Sequence, residues 1–311
     1  MIETSKGTKL AVVGAGSVGS TLAYAVLLNG MARSVALYDV NSAKVRAEAL
    51  DMRQGLQFVR PAHVEGSDDI QICADADVIA VTAGAKQQPG QSRLDLAAST
   101  TSLMRTLMPQ LVEVAPDAIF VMVTNPVDVI TYVALKLTGL PSSQLFGSGT
   151  VLDSARLRGM ISSHASVAVQ NVHAYIVGEH GDSEIPLWST ATAGSMPVLD
   201  ITTAEERDRM AHDVVHAAYE IIAGKGATNY AIGVSAGRII EAVLRDEHRV
   251  MPVSTLVQDY LGIDDVCLSL PCVVDATGIE RQLTVPMTDV ELAGLRSSAA
   301  SIKQVARDLG F

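Results

Sequence analysis

Short apolar runs alternate with longer amphipathic stretches through the first half of the chain. The apolar runs are rich in β-branched residues and continuous in hydrophobicity, as strands buried on both faces of a sheet are. They cover Lys9–Val13, Ser34–Tyr38, Asp77–Val81 and Ile119–Val123. The stretches between them have helical spacing, and they cover Ser20–Leu28, Ala43–Leu56 and Leu94–Val114. This alternation predicts an α/β fold with a doubly wound parallel sheet, and Pro109 is expected to kink the third helix.

A different mixture of elements begins after about Gly147. Helical stretches continue, and they cover Val151–Ser163, Ala204–Ala223, Asn229–Leu244 and Asp289–Leu309. Strand-like segments lie among them, near His173–Val177, Arg249–Tyr260, Val266–Val274 and Gly278–Thr284. Thr203 is a suitable N-cap for the second of these helices, and Gly224 is expected to end it. The pattern predicts a second, α+β domain that closes over the first, with the domains at residues 1–147 and 148–311.

Composition and charge exclude several classes of protein. The 311 residues are 48% hydrophobic and 18% charged, which rules out intrinsic disorder. The 34 acidic and 23 basic residues give a net charge of −11 without a dense basic cluster, so nucleic acid is not an expected partner. The longest apolar stretches fall far short of the ~20 residues that a membrane-spanning helix needs, so no membrane association is expected.

Cysteine usage and the N-terminal residues predict a cytoplasmic location. The polar lead before Leu10 lacks the apolar core of a signal peptide. Cys73, Cys267 and Cys272 are an odd number without zinc-ligand spacing, which is typical of buried thiols in a reducing compartment. The segment from His212 to His216 is superficially like a zinc-binding HExxH motif, but aspartate replaces the glutamate, so a surface helix is expected and no metal site.

A glycine fingerprint follows the first predicted strand and opens the first predicted helix. Gly14 would make the turn, Gly16 would let backbone amides approach a pyrophosphate, and Gly19 would permit close packing of helix and strand. Asp39 ends the second strand 20 residues beyond Gly19, where its carboxylate can accept hydrogen bonds from ribose hydroxyls and repel a 2′-phosphate. The pattern predicts a Rossmann-type domain that binds NAD rather than NADP.

A histidine among acids and glycines is the first candidate for chemistry. His180 directly follows a predicted strand, and imidazole titrates near neutrality, so it can give and take a proton. It needs a carboxylate to orient its ring, and its neighbours Glu179 and Asp182 are badly placed to reach back to it. Asp153, at the start of the helix after residues 147–150, is the better partner. A purely structural histidine is the alternative.

Two arginines are candidates for binding an anionic substrate. Arg156 lies one helical turn after Asp153 on the same face, and a guanidinium can grip a carboxylate with two hydrogen bonds. Arg93 ends a polar segment, residues 83–93, which lies just beyond a strand's carboxyl end and is expected to form a mobile flap. The alternatives are a surface ion pair for Arg156 and an ordinary surface loop for the flap.

These motifs together resemble those of the lactate/malate dehydrogenase superfamily, and in particular its bacterial L-lactate dehydrogenases. The resemblance runs in order from residue 9 to the C-terminus. It rests on the glycine fingerprint, the flap ending in Ser92 and Arg93, the tripeptide at 124–126, the turn at 147–150, the pair Asp153 and Arg156, and the segment 178–183. The last segment is highly specific to the superfamily.

The resemblance implies a role for each residue of the reacting site. It implies that His180 is the acid/base, that Asp153 orients it, and that Arg156 binds the substrate carboxylate. Arg93 would polarise the substrate ketone from the closing flap. The other implied substrate contacts are Asn125, on the His180 side, and Thr228, in the lining of the pocket.

The resemblance also implies NAD as the cofactor and a homotetramer as the assembly. The residues that match cofactor-binding positions are Gly14, Gly16, Val18, Gly19, Asp39, Asn125, Ser148 and Ile232. The peptide bond between Asn125 and Pro126 is expected to be cis.

Position 87 separates lactate from malate dehydrogenases, because the former carry glutamine there and the latter arginine. Burying the second carboxylate of oxaloacetate opposite the neutral Gln87 would cost on the order of several kcal/mol, whereas a methyl group fits with a mild penalty. Pyruvate and L-lactate are therefore the expected substrates, in the last step of fermentative glycolysis. The alternatives are a malate dehydrogenase, a dehydrogenase of larger 2-keto acids, and a catalytically silent NAD-sensing module, which would have no use for the reacting residues.

Arg158 and His173 match positions at which allosteric bacterial L-lactate dehydrogenases bind fructose bisphosphate at a subunit interface. Two symmetry-related copies of the chain would supply four basic groups around the two phosphates. Fructose bisphosphate is thus an expected activator. The alternative is that both residues are ordinary surface cations.

Overall fold

The computed structural model describes residues 7–85 and 93–311. Its strands are β1 (Lys9–Val13), β2 (Ser34–Tyr38), β3 (His63–Ser67), β4 (Val78–Val81), β5 (Ile119–Met122), β6 (Leu145–Gly147), β7 (Val172–His173), β8 (Ile176–Val177), β9 (Ile185–Pro186), β10 (Thr192–Ala193), β11 (Met196–Pro197), β12 (Arg249–Val257), β13 (Val266–Asp275) and β14 (Gly278–Gln282). Its α-helices are α1 (Ser17–Asn29), α2 (Ser42–Gly55), α3 (Arg93–Val114), α4 (Val127–Thr138), α5 (Val151–Ala165), α6 (Val198–Ile201), α7 (Ala204–Lys225), α8 (Tyr230–Leu244) and α9 (Asp289–Asp308).

Six parallel strands form one part of the main sheet, in the order β3-β2-β1-β4-β5-β6. The central strands β1 and β4 are buried along almost their whole length, which explains their continuous apolar sequences. The strand order reverses between β1 and β4, so the carboxyl ends of these strands flank the crevice where such sheets bind ligands. The predicted Rossmann-type, doubly wound parallel sheet is confirmed.

The long strands of the second half continue the same sheet. β12 pairs antiparallel with β6 through Ser254 and Gly147, and β13 and β14 follow beyond it. The sequence predicts a second domain that closes over the first; in the structure the long strands of this half extend the sheet of the first half. The pairing covers the edge that β6 would otherwise expose. The α+β character of this half is confirmed, with smaller antiparallel pairs formed by β7, β10 and β11 and by β8 and β9.

The ends of helix α7 show which local signals predict an element well. Thr203 forms the expected N-cap, in a capping box with Glu206. The predicted stop at Gly224 is wrong, because that residue stays helical and the helix ends at Lys225. Gly226, with a φ of 86°, supplies the left-handed turn instead, and its N–H donates to the carbonyl of Ile222 at 2.8 Å.

Two hydrophobic clusters hold the described residues together. The larger one is built on the main sheet and includes helices α1 and α4. The smaller one lies around Leu157 and Ile161 of α5 and includes Met210 and Val214 of α7, with Trp188 packed against it. Among residues 7–85 and 93–311, no helix combines the length and apolar character needed to cross a membrane.

Candidate active site

The turn between β1 and α1 has no room for a side chain at Gly14 or Gly19, but it is open at Gly16. Gly14 has a φ of +101°, and a Cβ there would lie 2.7 Å from the backbone nitrogen of Ala83. A Cβ on Gly19 would lie 1.9 Å from the carbonyl oxygen of Gly14, so α1 packs directly on the turn. A Cβ on Gly16 would meet no atom of the described residues within 4 Å, which leaves open space beside the N-terminus of α1.

Asp39 faces this turn from the end of β2. Its Oδ2 accepts a hydrogen bond of 2.7 Å from the N–H of Ala15, and its Oδ1 accepts one of 2.9 Å from the N–H of Asn41. The open space at Gly16, the positive end of α1 and the adjacent carboxylate are the features that a pyrophosphate with its ribose requires. The described residues of the turn therefore fit a dinucleotide.

The other residues at predicted cofactor positions follow the carboxyl ends of β5 and β6 or lie on packed helices. Asn125 follows β5, and its Oδ1 accepts a hydrogen bond of 3.3 Å from the N–H of Val127. Ser148 follows β6 and is buried. Val18 on α1 and Ile232 on α8 are partly buried against the main core. The peptide bond between Asn125 and Pro126 is cis, as predicted.

His180, Asp153 and Arg156 come together, although the histidine is 27 residues from the aspartate in the chain. Nδ1 of His180 lies 2.5 Å from Oδ2 of Asp153, and the guanidinium of Arg156 donates to Oδ1 of the same carboxylate at 2.8 Å. The Asp153 side chain is only 2% exposed, whereas that of His180 is 26% exposed. One buried carboxylate thus orients the two groups that the sequence identified for proton transfer and anion binding.

Buried hydrogen bonds fix the start of α5, which carries Asp153. Oγ1 of Thr150, the N-cap residue, donates to the carbonyl of Ile176 at 2.6 Å. The N–H of Ile176 donates in turn to Oγ of Ser154 at 2.9 Å. These bonds join α5 to strand β8, and β8 leads directly to His180, so the distance between Asp153 and His180 is set by a rigid junction.

Asp128 is a member of the site that the sequence reasoning missed. It lies in the first turn of α4 and is buried, and its Oδ2 accepts a hydrogen bond of 2.7 Å from the backbone N–H of His180. Its Oδ1 accepts one of 2.6 Å from Oγ of Ser254 on β12. The sequence signal for Asp128 is an acid at the start of a helix, three residues beyond Asn125. Its hydrogen-bond partners His180 and Ser254 lie 52 and 126 residues away in the chain, so the sequence alone does not reveal them.

The remaining acids of the histidine segment divide into two groups. Glu179 accepts a hydrogen bond from Ser183, and Asp182 accepts one of 2.7 Å from the hydroxyl of Tyr219 on α7, so neither acid is used to orient the ring. Glu184 is different, because one of its carboxylate oxygens, an oxygen of Asp153 and a ring nitrogen of His180 all lie within 4.8 Å of one another. Sequence reasoning gave Glu184 no role.

Electrostatics in the site favour a protonated histidine at neutral pH. Burial by itself lowers the pKa of His180, but the charge and hydrogen bond of Asp153 outweigh it and raise the pKa to about 9. Burial raises the pKa of Asp128 to about 6, against hydrogen bonds from Ser254 and His180 that lower it. The arrangement can therefore hold a proton on His180 and donate it to an oxygen that gains electrons.

Arg93, Gln87 and Thr228 are the remaining residues that were predicted to contact the substrate. Arg93 is the first residue of α3, at the end of the segment expected to be a flap. Gln87 lies outside the described residues. Thr228 is half-buried in the connection between α7 and α8.

The two residues at the predicted effector positions lie on neighbouring segments. Nε of Arg158 on α5 donates to the carbonyl of Ala174 at 2.8 Å, and its guanidinium stacks 4.9 Å from the centre of the Tyr175 ring. His173 is exposed at the end of β7, directly before Ala174. Arg158 also lines a cavity of about 660 Å³ together with Arg238 and Arg249.

Comparison with known proteins identifies the family. Residues 8–147 match the model of the lactate/malate dehydrogenase NAD-binding domain, and residues 150–309 match that of the lactate/malate dehydrogenase alpha/beta C-terminal domain. The chain belongs to the lactate/malate dehydrogenase family. It is an NAD-dependent oxidoreductase, and NAD is its cofactor.

Individual relatives are similar over nearly their whole length. The L-lactate dehydrogenase of Bifidobacterium animalis subsp. lactis (strain AD011) is 52% identical, with 98% of each chain covered. That of Moorella thermoacetica (strain ATCC 39073 / JCM 9320) is 43% identical, with 97% of this chain and 98% of the relative covered. The crystal structure of MGS-M5, a lactate dehydrogenase from a Medee basin deep-sea metagenome library, superposes with a TM-score of 0.95 at 35% identity, covering 99% of this chain and 100% of that one.

Proposed function

We propose that this chain is an L-lactate dehydrogenase that reversibly reduces pyruvate to L-lactate, in the last step of fermentative glycolysis. The observation that carries the proposal is the contact of one buried carboxylate, Asp153, with both His180 and Arg156. Two relatives that match this chain over nearly their full length are named L-lactate dehydrogenase. In this proposal residues 1–147 bind the cofactor, and residues 148–311 supply most of the substrate-binding and catalytic groups.

The cofactor site proposed here is the open space beside Gly16, with Asp39 accepting hydrogen bonds from the ribose hydroxyls. Val18, Asn125, Ser148 and Ile232 would complete it, together with Gly14 and Gly19, which shape the turn. Bound NADH supplies the hydride that the substrate's carbonyl carbon accepts. Its pyrophosphate would be held by the amides at the start of α1, since Gly16 makes no side-chain cap there.

His180 is the proposed acid in pyruvate reduction and the base in lactate oxidation. Its Nδ1 is bonded to Asp153, so Nε2 is the nitrogen that delivers the proton to the substrate oxygen. Asp153 holds the ring in orientation and stabilises its charged form before the proton leaves. Because the pKa of His180 is raised to about 9, the acid is loaded throughout the neutral range.

Arg156 would hold the pyruvate carboxylate, with its orientation set by the hydrogen bond to Asp153. Arg93 would polarise the ketone oxygen as negative charge develops on it, with Asn125 and Thr228 beside the substrate. Gln87 favours the methyl group of pyruvate over the second carboxylate of oxaloacetate, because it offers no cation to compensate the buried charge.

The test of this function is NADH oxidation by the purified chain with pyruvate and, separately, with oxaloacetate. We expect kcat/KM to be at least about 100-fold higher for pyruvate, since an uncompensated buried carboxylate costs several kcal/mol and each 1.4 kcal/mol is about tenfold. A ratio near one or below it would overturn the assignment in favour of a malate dehydrogenase. Binding of NADH without turnover of either acid would favour a sensing module.

A homotetramer activated by fructose bisphosphate is the second part of the proposal, with a cytoplasmic location. The basic groups of Arg158 and His173 on adjoining segments, and the neighbouring cavity lined by Arg238 and Arg249, support a binding site for a doubly phosphorylated sugar. The three cysteines are free and buried, which agrees with a reducing compartment.

Pyruvate saturation curves with and without fructose bisphosphate test the effector site. We expect the effector to lower the KM for pyruvate, and Arg158→Gln to abolish that effect, while Arg207→Gln, a change at the start of α7, serves as the control. Superimposable curves for the unaltered chain would end the effector proposal, and sedimentation of a monomer would end the tetramer proposal.

A further inference from the structure

Glu184 is a half-buried acid that the proposed mechanism does not use. It lies four residues after His180 and directly precedes β9. One of its carboxylate oxygens, a ring nitrogen of His180 and an oxygen of Asp153 all lie within 4.8 Å of one another. Its Oε1 is buried and has no hydrogen-bond partner among the described residues, unlike both oxygens of Asp153 and of Asp128.

The charges around Glu184 make its ionised form unfavourable. Asp153 and Glu179 are acids that repel a second negative charge, whereas His180 and Arg156 attract it. Burial is the largest influence and raises the pKa of Glu184 well above the usual range of carboxyl groups, and the charge of Asp153 raises it further. A buried anionic oxygen without a partner would be expensive, so the carboxylic acid is the form that this position accommodates at neutral pH.

The charge of Glu184 also matters for the substrate, on the assumption that the proposed function is correct. Pyruvate is an anion that must approach Arg156 and protonated His180 in the same pocket. The charge of Asp153 already offsets one of these two cations. A second carboxylate would offset the other, and the site would lose its attraction for the substrate.

We infer that Glu184 is a positioning residue that controls the charge of the substrate site. As a neutral carboxylic acid it lies beside the His180–Asp153 pair and leaves the site positive enough to admit an anionic substrate. When Glu184 is ionised, the site no longer admits that substrate. It acts through His180 and Asp153 and exchanges no proton with the substrate. The inference rests on the proposed function.

The experiment compares the pH dependence of kcat/KM for pyruvate in the unaltered enzyme and in Glu184→Gln, which keeps the shape and removes the ionisation. If the inference is correct, both His180 and Glu184 must be protonated for activity in the unaltered enzyme. A plot of log(kcat/KM) against pH should therefore reach a limiting slope of −2 at alkaline pH. The glutamine variant should retain kcat/KM within about threefold at pH 7 and fall with a slope of −1. Glu184→Ala should be weaker than the glutamine variant, because it leaves a cavity beside the ring.

Each other outcome is decisive. A slope of −1 in both proteins would mean that Glu184 is a bystander. An alkaline limb that begins a full pH unit lower in Glu184→Gln would mean that the carboxylate is already ionised at neutral pH and supports the histidine's charge, which also overturns the inference. If the variant does not fold, the limiting slope of the unaltered enzyme decides alone. Absence of pyruvate turnover at any pH would instead contradict the proposed function.

Discussion

The two oxygens of Asp153 have different partners: Oδ2 contacts the imidazole of His180, and Oδ1 accepts a hydrogen bond from the guanidinium of Arg156. A carboxylate that is 2% exposed needs such partners, because a buried charge without them is strongly destabilising. The same two contacts therefore satisfy a structural requirement and, in the proposed function, prepare His180 for proton transfer. Substitution of Asp153 should therefore change the pKa of His180.

Asp153→Asn should lower the alkaline limit of pyruvate reduction. Without the carboxylate, burial still lowers the pKa of His180 and only weaker charge interactions, such as that with Asp128, oppose it, so the pKa should fall from about 9 toward the ordinary value of 6.5. In the proposed mechanism His180 must be protonated for reduction, so kcat/KM at pH 8 should fall by about 10- to 30-fold, with a much smaller loss at pH 6. The measurement is a pH profile of kcat/KM from pH 5 to 10.

Asp182→Asn is the matched control for that profile, because this acid lies in the same segment and is bonded to Tyr219 rather than to the ring. It should leave the alkaline limit within about half a pH unit of the original. An unchanged limit in Asp153→Asn would contradict the role of the pair.

The turn between β1 and α1 is the element on which the proposed cofactor site depends most directly. Gly19→Ala would put a methyl group 1.9 Å from the carbonyl oxygen of Gly14, so the turn would have to shift, whereas Gly16→Ala would extend into open space. We expect Gly19→Ala to lower the thermal midpoint by several degrees, at about 2–4 °C per kcal/mol, and to weaken NADH binding as well. Gly16→Ala should weaken NADH binding with the midpoint within about 1 °C.

Thermal unfolding and NADH titration followed by fluorescence check both variants. Equal losses of stability in the two variants would show that the open space at Gly16 is not available to the cofactor. Equal NADH affinity in Gly16→Ala and the unaltered chain would remove the turn from the cofactor site.

The first and last residues of a strand could be predicted from the sequence where burial of both faces requires apolar residues along the whole strand. The strands β1 and β2 begin and end where the apolar pattern does, because both faces of these strands are buried. Strand β12 ends at Val257 rather than at the predicted Tyr260, since Asp259 and Leu261 adopt left-handed φ values of 52° and 53° that an extended strand excludes.

The candidate site could be predicted where a motif or a chemical need identified the residue. The contact of His180 with Asp153 was foreseen because an imidazole used for proton transfer needs a carboxylate. Asp128 and Glu184 could not be foreseen, because each is defined by groups that only the tertiary fold brings near. Similarly, the pairing of Ser254 with Gly147, which merges the halves, depends on residues 107 positions apart and has no local signal.

At the scale of the whole molecule, the continuous sheet should make the two halves unfold together. The smaller hydrophobic cluster includes Leu157 and Ile161 of α5, while Val151 at the start of the same helix packs on the larger cluster. Trp188, the single tryptophan of the chain, packs on the smaller cluster, so its fluorescence reports that region.

We therefore expect denaturation curves from Trp188 fluorescence and from far-ultraviolet circular dichroism to coincide within about 0.2 M urea, as required for a cooperative transition. The measurement is made at two protein concentrations, so that dissociation of an assembly is separated from unfolding of the chain. A fluorescence transition well before the dichroism transition would show that the region around α5 and α7 melts independently.

The strand β12 touches both halves at once, since Ser254 pairs with Gly147 in the backbone and its hydroxyl holds the carboxylate that fixes the main chain of His180. A hinge between the halves would have to break this joint and displace the imidazole at each turnover. The pairing and the two hydrogen bonds therefore tie the position of the imidazole to the sheet that both halves share. In the proposed function, segments outside the sheet can therefore admit pyruvate and release lactate without disturbing the alignment of His180 and Asp153.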